Sequence, residues 1–477
     1  MKREFLINVV LVVGLNVLIK VFFIFGIDRN VQNLVGQTEY GAYFAILNLA
    51  YLFQIINDFG IQNFNNKHIA QHRQLLPKYL PNILVFKAIL GFAFMMAFLL
   101  FGWMLGYWAL SKTLLIAVGL NQILVALIYY LRSNVSALGF YRLDSIFSVL
   151  DKFLMIVIIG TLIWTPALRQ NFQMEWFAWG QFFALLFTAL AGLAFLYRKI
   201  DIPRIRLNLP FLLVIIKESK PYAILGLLMA IYSRIDSVML SQIISEKETG
   251  IYASAFRLMD AGTMVGLLIS AFLLPMFVRQ IKEKAPTAEL ADLVIKMMWV
   301  VGVAVAIPVI IYRLPIMRTL YTEGNQYAAD VLGLLMVALL ALMWSSVNGV
   351  LLIAAGAIKR LNTMYFIAVL LNLGLNFLLI PKFGAVGAAF VAATTQWFVT
   401  LYQYRLLAQS SLLALSIQTT LQIIGLLILS VLITYGLSQM SQNWMLLFLA
   451  SSGMTLLLSI VLGLFSPKGL IKLLKNR

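Results

Sequence analysis

The chain has 477 residues, of which 62% are hydrophobic and only 11% charged, with a mean hydropathy of +0.94. An average soluble domain carries about 25% charged residues, so this composition excludes an ordinary water-soluble fold. A net charge of +18 does not indicate nucleic acid here. No basic stretch is interleaved with aromatics as a base-stacking surface requires. With no cysteine there is no disulfide, thiolate metal site or Cys nucleophile.

A membrane-spanning helix needs roughly 20 mostly apolar residues, and in lipid its backbone groups must pair within the segment. In chain order, the apolar runs predict spans over 5–27, 40–57, 82–105, 112–131, 145–164, 175–197, 221–244, 250–278, 293–312, 329–353, 363–380, 385–406, 413–437 and 443–465. The first run is too long for a signal-peptide core and no small-residue cleavage site follows it, so it reads as a retained span. With the N-terminus inside, 23 Lys and Arg fall on inside segments and 7 on outside ones. That bias is expected when both termini are cytoplasmic. The fold class is therefore all-α, a polytopic membrane protein of about 14 transmembrane helices.

The longest polar stretch, 198–220, is basic and holds Pro203 and Pro210. It divides the chain into a lobe of six spans (1–200), a cytoplasmic linker (201–220) and a second six-span lobe (221–406). Residues 407–477 add two Leu-rich spans and a basic tail. An internal repeat supports two lobes. Glu39-Tyr40-Gly41-Ala42-Tyr43 and Glu248-Thr249-Gly250-Ile251-Tyr252 both read E-x-G-x-Y, six spans apart. An even separation keeps the orientation, so the lobes are expected to be parallel repeats. The last two spans hold almost no charge, which suits lipid-facing additions or a groove for an acyl chain.

Ionisable residues inside spans are costly and usually face a protein interior or a water-filled cavity. Lys20 lies deep in the first span. Arg234 and Asp236 lie mid-way along the seventh, at i and i+2, so each needs a partner on another helix. Arg257 and Asp260, at i and i+3 of the eighth span, share a face and could pair locally. The Arg257 guanidinium also suits a phosphate. Lys87 is near enough to a span end to snorkel. Asp151 and Lys152 read as interfacial charges, and Asp58 as a helix-end feature. His68 and His72 lack nearby carboxylates, so no metal site is expected. There is no G-x-x-x-x-G-K-[ST] loop and no G-x-S-x-G elbow. The chain reads as a transporter, with no cofactor and no catalytic residue.

Three stretches carry a family resemblance. They are Arg234-Ile235-Asp236-Ser237-Val238-Met239-Leu240 with Gly250-x-Tyr252-x-x-Ala255-x-Arg257; Asn372-x-x-x-Asn376-x-x-Leu379-Ile380-Pro381-x-x-Gly384-x-x-Gly387-Ala388-Ala389; and Asp58-Phe59-Gly60-Ile61. This pattern resembles the polysaccharide exporters of the MOP superfamily, over most of 1–406. The resemblance implies a Wzx-type flippase of polyprenyl-diphosphate-linked oligosaccharide in the bacterial cytoplasmic membrane, working by alternating access for O-antigen, capsule or exopolysaccharide. Membrane lipids, a polysaccharide polymerase and glycosyltransferases would be its partners. It also implies a cationic cavity, for which Lys20, Arg234 and Arg257 are the candidates, with Asp236 and Asp260 as coupling or ion-pair residues. Cation-coupled drug or metabolite exporters of the same superfamily are the alternative. They rely on acidic residues in the first or seventh span, and here the first span has Lys20 and no acid between Phe5 and Ile27.

Overall fold

A computed structural model describes residues 14, 16, 18–61, 76–199, 209–410, 412–413, 416–440 and 443–464. His68 and His72 lie outside them, as does 201–208 of the expected linker. The described residues contain helices and no strand. Ten helices among them are long and apolar enough to cross a membrane, so this is a multi-pass membrane protein. The chain forms two compact units, residues 1–253 and 254–477.

In the first unit a π-helical segment, Phe23–Asp28, leads into α1, Arg29–Asp58. There follow α2 (Leu76–Met104), α3 (Lys112–Ala137), α4 (Tyr141–Trp164), α5 (Met174–Lys199) and α6 (Leu209–Ile243). The start of α7 (Glu246–Lys282) closes the unit. Helix α3 begins at a Ser111 cap, whose hydroxyl accepts from the Leu114 amide at 3.1 Å. It packs on α5, while α1 is lined by α2, α3 and α6. One apolar cluster, including Leu80, Ile83, Phe86, Tyr130, Val135, Phe147 and Leu196, ties α2, α3, α4 and α5 together.

Helix α1 is not among the ten. Asn48, Gln54 and Asn57 lower its hydropathy, and Asn48 and Asn57 are buried. The Asn57 amide donates across to the Gln122 carbonyl of α3 at 2.9 Å, and the Asn48 amide to the Phe44 carbonyl of α1 itself at 2.7 Å. The repeated E-x-G-x-Y motif meets its own copy here. A Cβ on Gly41 would overlap the Glu246 carbonyl, and one on Gly250 the Gln37 carbonyl. Gln32 seals the crossing by donating to the Gly250 carbonyl at 3.1 Å.

The stretch 209–220, read from sequence as loop, is helical: α6 starts at Leu209. Pro210 sits in the first turn, where its missing N–H costs nothing and its fixed φ favours helix. Pro221 lies inside the same helix.

The second unit holds the rest of α7, then α8 (Ala288–Ile311), α9 (Arg313–Leu320), α10 (Gln326–Ala354), α11 (Ile358–Gln409), α12 (Ile417–Ser438) and α13 (Trp444–Val461). The 52 residues of α11 would reach about 78 Å as one straight helix, against a hydrocarbon core of about 30 Å. Gly384 (φ 54°, ψ −132°) breaks it in two, between the expected spans 363–380 and 385–406. Tyr327 of α10 holds the break: its hydroxyl donates to the Phe383 carbonyl at 3.1 Å and accepts from the Ala385 amide at 3.0 Å. Helices α12 and α13 bury Ser430, Thr434, Ser451, Thr455 and Ser459 toward the protein. They expose Leu421, Leu432, Leu446, Leu457 and Val461, the pattern of small polar residues inside and bulky apolar ones outside that lipid-facing helices show.

Candidate intramembrane cavity and its charges

Residues 51, 54, 55 and 58 recur at helical spacing, so Tyr51, Gln54, Ile55 and Asp58 share one face of α1. Ala126 and Tyr129 do the same on α3, and Gly226, Ala230, Ser233 and Arg234 on α6. These faces enclose a cavity of about 320 Å³ in the first unit. The division of labour is steric. Gly226, Ala230 and Ala126 are too small to fill the space, and the aromatic and charged residues furnish its walls. The Arg234 guanidinium lies 5.1 Å from the Tyr51 ring centroid, a cation–π contact that orients it. Tyr129 is 46% exposed and presents its ring to the cavity.

Further charges gather behind these walls. Lys87 Nζ is 2.7 Å from Asp58 Oδ1, and the lysine is 5% exposed. This corrects the snorkelling expectation for Lys87: the Asp58 carboxylate neutralises the ammonium inside the protein, so it has no need to reach water. Arg132 pairs with Asp144 at 2.8 Å, and Lys152 with Asp151 at 3.4 Å. Lys152 also lies 4.9 Å from the Phe23 ring centroid. Lys20, half-buried, is within electrostatic range of Asp151, Arg132 and Lys152. Tyr129 is within range of Tyr51, Arg132 and Asp151. Among the described residues, five cations (Lys20, Lys87, Arg132, Lys152, Arg234) therefore share this region with three carboxylates (Asp58, Asp144, Asp151).

The structure distributes the sequence candidates unevenly. Lys20 and Arg234 belong to this charged region. Asp236 is in the same unit but does not line the cavity. It is 2% exposed and accepts from the Tyr252 hydroxyl at 3.3 Å. A buried Asp28 in the π segment accepts likewise from Tyr40, at 2.7 Å. Arg257 and Asp260 are half-buried on the part of α7 that belongs to the second unit. Sequence reasoning missed Tyr51, Tyr129 and Arg132 as site residues. Arg132 looked like an ordinary inside-loop charge, and its only signal was the run Tyr129-Tyr130-Leu131-Arg132 at a span end.

Chemically, guanidinium and ammonium groups around a partly enclosed space suit an anion with several oxygens. The rings of exposed Tyr129 and half-buried Tyr51 beside them offer flat apolar faces with a polar edge. A family model described as "Polysaccharide biosynthesis protein" matches residues 6–281. The chain belongs to that family. No match is found among curated proteins. Among solved structures, this family member is similar to the lipid II flippase MurJ in an inward closed conformation. The TM-score is 0.77 and the identity 14%, over 95% of this chain and 98% of that one. It is also similar to a multidrug resistance MATE family transporter of the MOP superfamily in an inward-facing conformation, with a TM-score of 0.58 at 14% identity, over 84% and 94% of the two chains. A MOP superfamily transporter from Pyrococcus furiosus gives a TM-score of 0.57 at 13% identity, over 85% and 94%. The fold is that of MOP-superfamily transporters.

Proposed function

We propose that this polysaccharide biosynthesis family member flips a polyprenyl-diphosphate-linked oligosaccharide across the bacterial cytoplasmic membrane, by alternating access, for surface polysaccharide assembly. The observation that carries the reading is the surplus of cations around an intramembrane cavity walled by Arg234, Tyr51 and Tyr129. Burying positive charge in a membrane protein is costly, and an anionic head group offsets part of that cost while it is bound. A diphosphate cannot cross hydrocarbon unaided. Inside the protein its charge meets Arg234 and Lys20, its sugars meet the tyrosine rings, and its lipid tail stays in the bilayer. Arg257 and Asp260, on the second unit, stay as the further substrate and ion-pair candidates. Against cation-coupled export stands Asp236, which is buried against Tyr252 and absent from the cavity wall.

Deleting the protein in its host should leave polyprenyl-diphosphate-linked glycan on the cytoplasmic face of the membrane and remove the surface polymer. Restoring the wild-type chain should reverse both effects. Arg234→Ala, produced at wild-type level, should fail to restore them. Unchanged lipid-linked glycans in the deletion strain would reject the proposal.

A further inference from the structure

Asp58 stands in the wall of the cavity, whereas Lys87 does not. The ammonium of Lys87 is 2.7 Å from the Asp58 carboxylate, with the two side chains 5% and 22% exposed. It also lies 5.8 Å from the Tyr130 ring centroid. The carboxylate therefore lies between a buried cation and the cavity space. We propose that Asp58 is a built-in competitor for the anionic head of the substrate: it holds Lys87 when the cavity is empty and yields it to a phosphate oxygen when the cavity is loaded. This rests on the lipid-diphosphate reading and adds to it a residue that tunes affinity.

An ammonium as buried as that of Lys87 requires a counter-charge, and Asp58 supplies one. A diphosphate arriving at the wall meets like charge on Asp58, and that repulsion is strong where water is scarce. Lysine answers readily, because its donors rotate on a flexible four-carbon stem. Arg234, by contrast, is held over Tyr51 and remains a standing cation. Among the described residues, the charged and titratable groups around Asp58 include Lys87 from α2, Tyr129 from α3, Arg234 from α6 and Tyr51 from its own helix. A transporter must bind tightly enough to load and weakly enough to release. A carboxylate that competes for one cation lowers affinity without removing the cation, and so favours release.

The test is calorimetric binding of farnesyl diphosphate to the full chain in detergent, with farnesol as the uncharged control. Asp58→Asn should bind the diphosphate about tenfold more tightly than wild type, since a like charge has gone. Lys87→Met should bind it about tenfold more weakly, since the reserve cation is lost and the carboxylate remains. The double variant Asp58→Asn/Lys87→Met removes both charges of the pair, so neither is left buried without the other. It should therefore fold even if a single variant does not, and should bind more tightly than Lys87→Met alone. A pair that is merely structural predicts the opposite sign, with affinity unchanged or weakened by Asp58→Asn and no gain in the double variant. That result overturns the proposal. Wild-type protein that binds neither compound removes the lipid-diphosphate reading itself, and this inference with it.

Discussion

One methyl group at position 41 or 250 would overlap a carbonyl oxygen of the opposing segment. Backbone is the least yielding of neighbours, so relief requires the helices to part. Gly41→Ala and Gly250→Ala should each cost about 1–3 kcal/mol, seen as a lower midpoint when monodisperse protein is followed through a thermal ramp. Gly374→Ala is the control. Nothing lies within 4 Å of its Cβ position, and alanine there should be neutral or slightly stabilising, by up to about 1 kcal/mol. Equal losses at all three positions would contradict the close-crossing account. The two motif glycines were legible in the sequence as a repeat, but their mutual contact was not. Arg234 was legible for a simple reason: a charge in mid-span has no water within reach. Asp58 and Lys87 were not, because each sits near a span end, where water is the default partner. A sequence separation of 29 positions hides a 2.7 Å contact.

Among the elements, α11 shows how a turn between spans can do without a loop. Its backbone is interrupted at Gly384 in a region of φ and ψ that side chains rarely adopt. The groups around the break are bound by one hydroxyl from α10. Tyr327→Phe removes that hydroxyl and should destabilise the protein by about 0.5–1.5 kcal/mol, the usual net worth of a hydrogen bond. Gly384→Ala should be worse, because it strains the break itself. If Tyr327→Phe melts like wild type, the hydroxyl is not what holds the turn. Most spans could be read from apolar run length alone, since the bilayer imposes that length on any sequence. The helical start of α6 could not, because Lys and Arg are good helix formers and also good loop residues. Only the packing of the mature fold separates the two. The cavity escaped for a related reason: its space comes from small residues on two helices, Ala126 on α3 and Gly226 and Ala230 on α6, and a gap leaves no mark in a hydropathy pattern.

For the whole molecule, the absence of cysteine makes topology directly measurable. Single cysteines can be placed without first removing any. Lys284→Cys lies between α7 and α8, and Glu323→Cys between α9 and α10. With cytoplasmic termini, a membrane-impermeant maleimide added to intact cells should label Glu323→Cys and spare Lys284→Cys. Labelling should become equal after the cells are opened. The reverse pattern would invert the orientation, and with it the direction in which the cavity is proposed to work.

The polarity of α1 also bears on how the protein is made. A segment carrying Asn48, Gln54 and Asn57 partitions poorly from the translocon into lipid by itself, because insertion is decided segment by segment on apolar content. The Asn57 amide finds its partner only when α3 is beside it, and α3 emerges from the ribosome later. The nascent chain must therefore keep α1 sheltered at the lateral exit until the following helices arrive. The same residues that let the finished protein hold a polar wall inside the membrane thus delay the release of its first hairpin during synthesis.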